Sequence, residues 1–518
     1  MDLKVQNAII SVSDKRGLIE FSQVLHEGGV NIYSTGGTAA AIRDAGIPVR
    51  LISDYTGFPE ILGGRVKSLH PKIHGGLLAR RDQEDHMRQL SENGISTFDL
   101  VVINLYPFEE TIKKEGTTLS EAVEKIDIGG PSMLRSAAKN YRWVCTVGDP
   151  DDYETIIREL SEKQSISLAT RERMAMKVFE RTAYYDAIIS GYLQTVFGKG
   201  EKEYPGTINF YFNKRQDLRY GENPTQSACF YTDPEMKAPG VATAQKLWGK
   251  ELSFNNILDI EAAFEIVKEF DEPCCSVIKH TNPCGTATAS SLTQAFTDAW
   301  ASDPVSAFGS IIGFNRRVDA NTAQNVMDAG FIECTIAPDY EDEALEIIKR
   351  KKNVRILKTG SMSQDATDYD MKRVVGGVLV QGRDVVRIGM NDLTLATDKG
   401  ADEPLIRALL FAWKVVKWVK SNAVVLAKGT KTVGIGAGQM SRVDSTFMAI
   451  HKANDRSKDS VLASDAFFPK PDAVELAIDA GVTAIIQPGG SIRDQDSIDV
   501  CNKRGVAMYF TGVRHFRH

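Results

Sequence analysis

Lys279 and His280 stand together at the head of a polar loop, Lys279–His280–Thr281–Asn282–Pro283–Cys284–Gly285, directly after the apolar run Cys275–Ile278. A strand end delivers side chains to a ligand, and a histidine there can take a proton while a neighbouring lysine meets developing negative charge. A purely structural histidine is the competing reading. A second basic loop is Gly63–Gly64–Arg65–Val66–Lys67–Ser68–Leu69–His70–Pro71. Its cations, bounded by glycines and proline, suit an anionic or carbonyl-bearing ligand. The alternative is a solvated basic loop, against which the apolar Val66 and Leu69 and a further histidine, His74, weigh.

Glycine pairs mark two more loops. Ser34–Thr35–Gly36–Gly37–Thr38 joins a strand pattern to a helix pattern. Its amides could cradle a phosphate at the helix N-terminus, or Thr38 could simply cap that helix. Asp127–Ile128–Gly129–Gly130–Pro131 leads into a helix with Arg135 and Lys139 on one face. Asp127 near Lys67 or Lys139 would stay ionised; a surface ion pair is the alternative. Asn104–Leu105–Tyr106–Pro107–Phe108 ends a buried strand and presents Asn104 and Tyr106. Arg219–Tyr220–Gly221–Glu222–Asn223–Pro224 could hold a phosphate or form a turn. Gly434–Ile435–Gly436–Ala437–Gly438–Gln439 lacks the third glycine of a dinucleotide fingerprint where it is required, which excludes a nicotinamide site. A zinc deaminase is excluded too, since no His-x-Glu and no Pro-Cys-x-x-Cys occur.

The elements that must position these loops alternate in type. Asn7–Ser11, Val30–Ser34, Asp99–Leu105 and Trp143–Val147 read as strands, and Lys15–His26, Thr38–Ala45 and Pro131–Lys139 as helices. This predicts a mostly parallel sheet with helices on both faces and ligands beyond the carboxyl ends of its strands. Asp151–Phe197 reads as largely helical, and the charged, glycine-bearing Gly198–Asn213 as the domain boundary. Alternation then resumes, with strands at Cys275–Lys279, Ser310–Phe314, Val424–Ala427, Val433–Ile435 and Ala484–Gln487, and helices at Leu292–Ala301 and Ala473–Ala480. Two segments echo one another, ASDPVSAF at 301–308 and ASDAFFPK at 463–470, which leaves open whether the second part is two related α/β units.

A chain of 518 residues holds two or more domains. With 62 Lys plus Arg against 68 Asp plus Glu, its net charge of −6 argues against coating nucleic acid or an anionic membrane. Seven cysteines with no C-x-x-C make neither a disulfide framework nor a zinc ribbon. The opening residues do not read as a signal peptide, and no apolar run nears the roughly 20 residues that span a bilayer. A cytoplasmic enzyme of small molecules, with neither nucleic acid nor membrane as partner, is the expectation.

In order along the chain, STGGT, LGGRVKSLHPKIHGG, NLYPF, DIGGPSMLRSAAKN, LRYGENP, KHTNPCG, GAGQMSR, SDAFFPKPD and GVRHFRH closely resemble the bifunctional family that joins phosphoribosylaminoimidazolecarboxamide formyltransferase to inosine monophosphate cyclohydrolase. The resemblance implies an α/β protein. Residues 1–198 would form a methylglyoxal-synthase-like parallel-sheet domain that closes the purine ring. Residues 199–518 would form a transformylase of two cytidine-deaminase-like subdomains, roughly 199–370 and 371–518, without zinc ligands. It further implies 10-formyltetrahydrofolate as co-substrate, no catalytic metal, room for a structural monovalent cation, and a homodimer with the transformylase site at its interface.

Carried over residue by residue, the resemblance gives the cyclohydrolase nucleotide site Ser13, Asp14, Lys15, Thr35, Gly36, Gly37, Thr38, Arg65, Val66, Ser68, Ile103, Asn104 and Ile128. Lys67, Tyr106, Asp127 and Lys139 would be its chemical groups. Which lysine donates the proton stays open, the family favouring Lys139. In the transformylase His280 would deprotonate the attacking amine, with Lys279 on the oxyanion or the leaving folate. Arg219, Tyr220, Arg442 and Asn422 would hold the ribonucleotide, and Phe467, Asp472, Gly489, Gly490 and Arg514 would surround the folate. Gly309 and Glu333 complete the expected set, Glu333 standing where the family often has aspartate.

Two rivals compete. A ligand-sensing domain would explain STGGT but has no need of DIGGP…RSAAKN or KHTNPCG. A single-activity enzyme with one decayed half is disfavoured because the motifs of both halves are intact.

Overall fold

In the computed structural model, which describes residues 2–198, 204–362 and 369–518, the chain divides into two units, Met1–Tyr211 and Phe212–His518. Residues 199–203 of the expected boundary stretch lie outside the described residues.

In the first unit the apolar runs become β1 (Asn7–Val12), β2 (Asn31–Ser34), β3 (Arg50–Leu51), β4 (Leu100–Asn104) and β5 (Cys145–Val147). They form one parallel sheet in the order β3-β2-β1-β4-β5. Alternation along the strands sends Ile9, Val101 and Ile103 into one core and Ala8, Ile10, Leu100 and Val102 into the other. Burial on both faces explains the near-continuous apolar runs Ala8–Ile10 in β1 and Leu100–Ile103 in β4. Two helices begin earlier than expected, at Gly36 and Gly129, so both glycine pairs supply first-turn amides. The expected helical stretch after Asp151 is two helices, Tyr153–Lys163 and Leu168–Phe197, broken at Gln164 with φ 52°.

The second unit opens with an antiparallel hairpin, β6 (Asn213–Leu218) and β7 (Ala228–Thr232). A first series of strands follows: β8 (Gln245–Trp248), β9 (Cys274–Lys279), β10 (Asn282–Thr288), β11 (Ser310–Phe314), β12 (Ile332–Ala337) and β13 (Arg355–Lys358). A separate hairpin, β14 (Asp370–Val374) and β15 (Gly377–Gln381), includes the expected subdomain boundary at 370/371. A second series comprises β16 (Thr394–Leu395), β17 (Val424–Lys428), β18 (Lys431–Gly436), β19 (Val461–Ser464), β20 (Ala484–Gln487) and β21 (Ala507–Phe510). The two series join in one twelve-stranded sheet, ordered β16-β21-β20-β19-β17-β18-β10-β9-β11-β12-β13-β8.

This order is a duplication. Each half pairs a hairpin (β9–β10, β17–β18) with an antiparallel neighbour (β11, β19), then two parallel strands and an antiparallel edge strand. Each hairpin follows one helix, Phe254–Val267 or Glu403–Val416, and both helices pack into one core on the same sheet face. Gly285 and Gly434 hold matching places, where a Cβ would lie 2.1 Å from the Ala299 carbonyl oxygen and 2.0 Å from that of Ala449. The ASD echo, however, does not mark the repeat. Residues 301–308 precede β11, whereas residues 463–470 begin at the end of β19, the counterpart of β11.

Candidate active sites

Beyond the carboxyl ends of β1, β2 and β4 lies a cavity of about 720 Å³. Of the residues expected for the nucleotide site, Ser13, Lys15, Thr35–Thr38, Arg65, Lys67, Ser68, Ile103, Asn104, Tyr106, Asp127 and Ile128 line it. Three segments build its anion-binding character. Thr35 is the N-cap of Gly36–Asp44 but its side chain caps nothing, so the first-turn amides face the cavity with the positive end of the helix dipole. The Thr38 hydroxyl does not cap either: it accepts from the Val12 amide and donates to the Val12 carbonyl, both at 3.0 Å, and ties the helix to β1. Asn104 folds the loop after β1, accepting from the Ser13 amide at 2.6 Å and the Asp14 amide at 2.9 Å.

Lys67 crosses the cavity floor over two glycines. A Cβ on Gly64 would sit 2.7 Å from Lys67 Cε, and one on Gly36 3.6 Å from its Nζ. Its ammonium is 3.1 Å from Oε2 of Glu60. Opposite, the Asp127 carboxylate accepts the Gly130 amide at 2.8 Å and is further stabilised by the amides of Tyr106 and Gly129. Burial nevertheless raises the Asp127 carboxyl above the ordinary range, those amides pulling the other way. Its own amide donates to the Tyr185 hydroxyl at 2.8 Å. A Cβ on Gly130 would be 2.5 Å from Asp127 Oδ2, and one on Gly129 2.9 Å from Ser68 Oγ, so both glycines let this loop close against its neighbours.

Some expected residues are not brought to the cavity. Lys139 is exposed at the far end of Gly129–Lys139, roughly 15 Å of helix from Gly129 at about 1.5 Å per residue. Lys139 is thus too distant to hold Asp127 ionised and Lys67, the other lysine expected there, pairs with Glu60, so backbone amides take that role. Asp14 turns outward to pair with Arg16 at 2.7 Å. Val66 bridges to Ile61 instead of lining the wall. His70 caps the helix Pro71–Leu78, its Nδ1 accepting from the Lys72 amide. Arg65 lines the cavity but is paired with Glu124, also on its wall.

In the second unit most expected residues lie along one edge of the long sheet. Lys279 ends β9, Gly309 and Glu333 sit at the amino ends of β11 and β12, and Asn422 precedes β17. Phe467, Gly489, Gly490 and Arg514 follow β19, β20 and β21 on that same edge, with Asp472 opening the helix Asp472–Asp479. Lys279 donates to the Phe308 carbonyl at 2.8 Å, beside Gly309. His280 is exposed at the β9–β10 turn, and Asn282 Oδ1 accepts the Lys420 amide at 3.0 Å, joining this turn to the segment that carries Asn422. Arg219 and Tyr220 follow β6 outside the long sheet, the guanidinium 5.6 Å from the Tyr220 ring centre.

Arg442 does not reach outward as expected. It is buried, and its guanidinium donates to Asp465, to Ser464 Oγ at 2.7 Å and to Asn422 Oδ1 at 2.8 Å. It therefore fixes Asn422 from within. Glu333 is ion-paired with Arg355 at 2.5 Å. Sequence reasoning missed Glu60, Glu124, Tyr185, Asp259 and Asp465, all of which hold expected site residues or their neighbours. Only Asp259 leaves a signal: a carboxylate within the otherwise apolar helical run Ile257–Ile260.

The family model described as AICARFT/IMPCHase bienzyme matches residues 137–452, and the one described as MGS-like domain matches residues 17–132. The bifunctional purine biosynthesis protein PurH of Acetivibrio thermocellus is 52% identical over 516 residues, covering 99% of this chain and 100% of that protein. PurH of a Thermoanaerobacter species is 52% identical over 513 residues, and that of Ruminiclostridium cellulolyticum 51% over 518, each covering 99% of this chain and 100% of the relative. A solved structure described as the crystal structure of ForH is 38% identical, with a TM-score of 0.34, over 36% of this chain and 95% of its own.

Proposed function

The chain belongs to the AICARFT/IMPCHase bienzyme family, and from that premise we propose how its two units divide the last two steps to inosine monophosphate. The second unit transfers a formyl group from 10-formyltetrahydrofolate to the 5-amino group of 5-aminoimidazole-4-carboxamide ribonucleotide. The first closes the ring of the formylated product with loss of water. The observation that carries the second assignment is the convergence of Lys67, Tyr106 and Asp127 on one cavity whose far wall is a helix N-terminus.

In ring closure the carboxamide nitrogen attacks the formyl carbon, and charge develops on the formyl oxygen. The nucleotide phosphate lies against the amides of Gly36–Thr38 with Lys15 beside it. The Lys67 ammonium and the Tyr106 hydroxyl stabilise the oxyanion, and Asp127 takes the proton from the attacking nitrogen and passes it to that oxygen. The resulting hydroxyl leaves as water with the proton of the formamido nitrogen as the ring double bond forms. A buried carboxyl with a raised pKa is a better base for that task than an exposed one.

In formyl transfer the attacking amine loses its proton to His280 as its nitrogen bonds to the formyl carbon. Lys279 meets the oxyanion, then protonates the departing folate nitrogen. The loops proposed for the folate follow β19–β21, whereas Lys279 ends β9, five strands away from β20 in the sheet order. At about 4.8 Å per strand that is roughly 24 Å. The span supports a homodimer in which the Lys279–His280 turn of one copy faces the folate loops of the other. All seven cysteines are free thiols, in keeping with a reducing cytoplasm.

The test is a pair of variants assayed for both activities. Lys67→Ala is expected to lose ring closure and keep formyl transfer, and His280→Ala to do the reverse. Loss of both activities in either folded variant refutes the two-site division.

A further inference from the structure

His280 and Thr281 make the two-residue turn of the β9–β10 hairpin, and both are left-handed, with φ 55° and 62°. Such a turn is ordinarily built from asparagine and glycine, and a β-branched threonine with positive φ is an outlier. Neighbouring groups hold it. The Asp259 carboxylate, from the helix Phe254–Val267, accepts the His280 amide at 3.2 Å and the Thr281 amide at 2.6 Å. The His280 carbonyl accepts from Asn282 Nδ2 at 3.0 Å and from the Thr281 hydroxyl at 2.7 Å.

The duplication supplies an internal control. The matching turn, between β17 and β18, is Gly429–Thr430, with a glycine at φ 54° and Thr430 not left-handed. The matching helix position, six residues after the N-cap Asp402 as Asp259 is after Ser253, is the buried Ala408. The fold thus closes this hairpin with glycine and no carboxylate. Only the half that presents His280 uses a glycine-free turn, and only that half supplies an acid to clamp it.

We propose that Asp259 is the positioning residue of the formyl-transfer site, its carboxylate clamping the His280–Thr281 turn and so aiming the imidazole at the attacking amine. This rests on the reading of His280 as proton acceptor. The Asp259 carboxylate accepts the amides of the turn itself, so it fixes the backbone from which the His280 side chain departs. Displacing a catalytic group by about 1 Å costs on the order of a hundredfold in rate.

The test uses the full chain and assays both activities for Asp259→Asn, His280→Ala and the double variant. Asn keeps the size but replaces one acceptor oxygen with a donor. Asp259→Asn is expected to lower the kcat of formyl transfer about tenfold to a hundredfold, to leave KM for both substrates near wild type, and to leave ring closure unchanged. Added to His280→Ala it should cause no further loss, because its effect passes through the imidazole. Should Asp259→Asn lack the wild-type unfolding transition, Asp259→Glu, which moves the acceptors by one methylene, is read the same way with a smaller loss. Wild-type kcat in the folded Asp259 variants while His280→Ala is inactive overturns this proposal alone. Losses that multiply in the double variant overturn it too, since they show an effect independent of His280. Full formyl transfer in His280→Ala overturns the underlying reading instead.

Discussion

Asn315 and Asp465 occupy the same position in the two halves of the duplicated sheet, one residue past β11 and β19, and each holds the backbone that opens its hairpin. Asn315 Oδ1 accepts the Cys274 amide at 2.7 Å, and Asp465 Oδ1 accepts the Ala423 amide at 3.2 Å. Asn315 also donates to the Phe270 and Glu272 carbonyls, both at 2.8 Å, whereas Asp465 takes the charge of Arg442. One half solves the problem with an amide, the other with a buried ion pair.

That difference makes the pair separable by mutation. Asp465→Asn keeps an acceptor for the Ala423 amide but leaves the Arg442 charge unpaired in the core. A loss of about 3 kcal/mol or more in second-unit stability is expected by denaturant unfolding. Asp465→Asn with Arg442→Met should recover most of it. Equal stability of the single and double variants would mean the pair is not what holds this region.

Gly64 should be as important to ring closure as a residue that touches substrate. A Cβ there would collide with Lys67 Cε, and its φ of 92° is strained for any L side chain. Gly64→Ala is expected to cut ring-closure kcat about tenfold or more by displacing the ammonium, with formyl transfer in the same polypeptide unchanged. An unaffected ring closure would place Lys67 outside the chemistry.

Asp127 ties stability to pH with a definite sign. Burial raises its carboxyl above the unfolded value, so between the two values the folded chain binds more protons than the unfolded one. The stability of the protonated form is fully present below the unfolded value and is lost as pH rises through the raised one. The unfolding temperature of the first unit should therefore fall as pH rises through that raised value, and Asp127→Asn, which does not titrate, should lose this part of the pH dependence along with ring closure. Calorimetry across the carboxylate range checks this; an unchanged pH dependence in the variant contradicts it.

Arg65 and Glu124 are both exposed, so their pairing adds little stability. It does occupy a guanidinium that could meet an anionic substrate. Glu124→Gln is expected to lower KM for the formylated nucleotide several-fold, with kcat and melting temperature unchanged. Steady-state kinetics of ring closure decide, and an increased KM would show that Glu124 itself assists binding.

The parts written locally in the sequence were legible. Apolar runs such as Leu100–Ile103 mark strands, and glycine pairs at 36–37 and 129–130 mark loops where close approach forbids a Cβ or where helix amides must face outward. What depends on direction was not. Spacing puts Arg135 and Lys139 on one helix face but cannot say that Lys139 ends far from Asp127. The family resemblance sets Arg442 on the ribonucleotide, and nothing nearby in the chain betrays that Asp465 draws it into the core. Glu60 and Asp259 act over a few residues or a few dozen, in ways that only the folded turn reveals.

The two halves of the long sheet meet where β10 lies antiparallel to β18, with the Thr432 hydroxyl accepting the Thr286 amide at 3.0 Å. Each of these strands would otherwise be a bare margin of unpaired amides and carbonyls, the kind that recruits strands from other molecules. Each half thus covers an inner strand of the other. Either half expressed alone is expected to associate through that margin, which size-exclusion chromatography would read as oligomers.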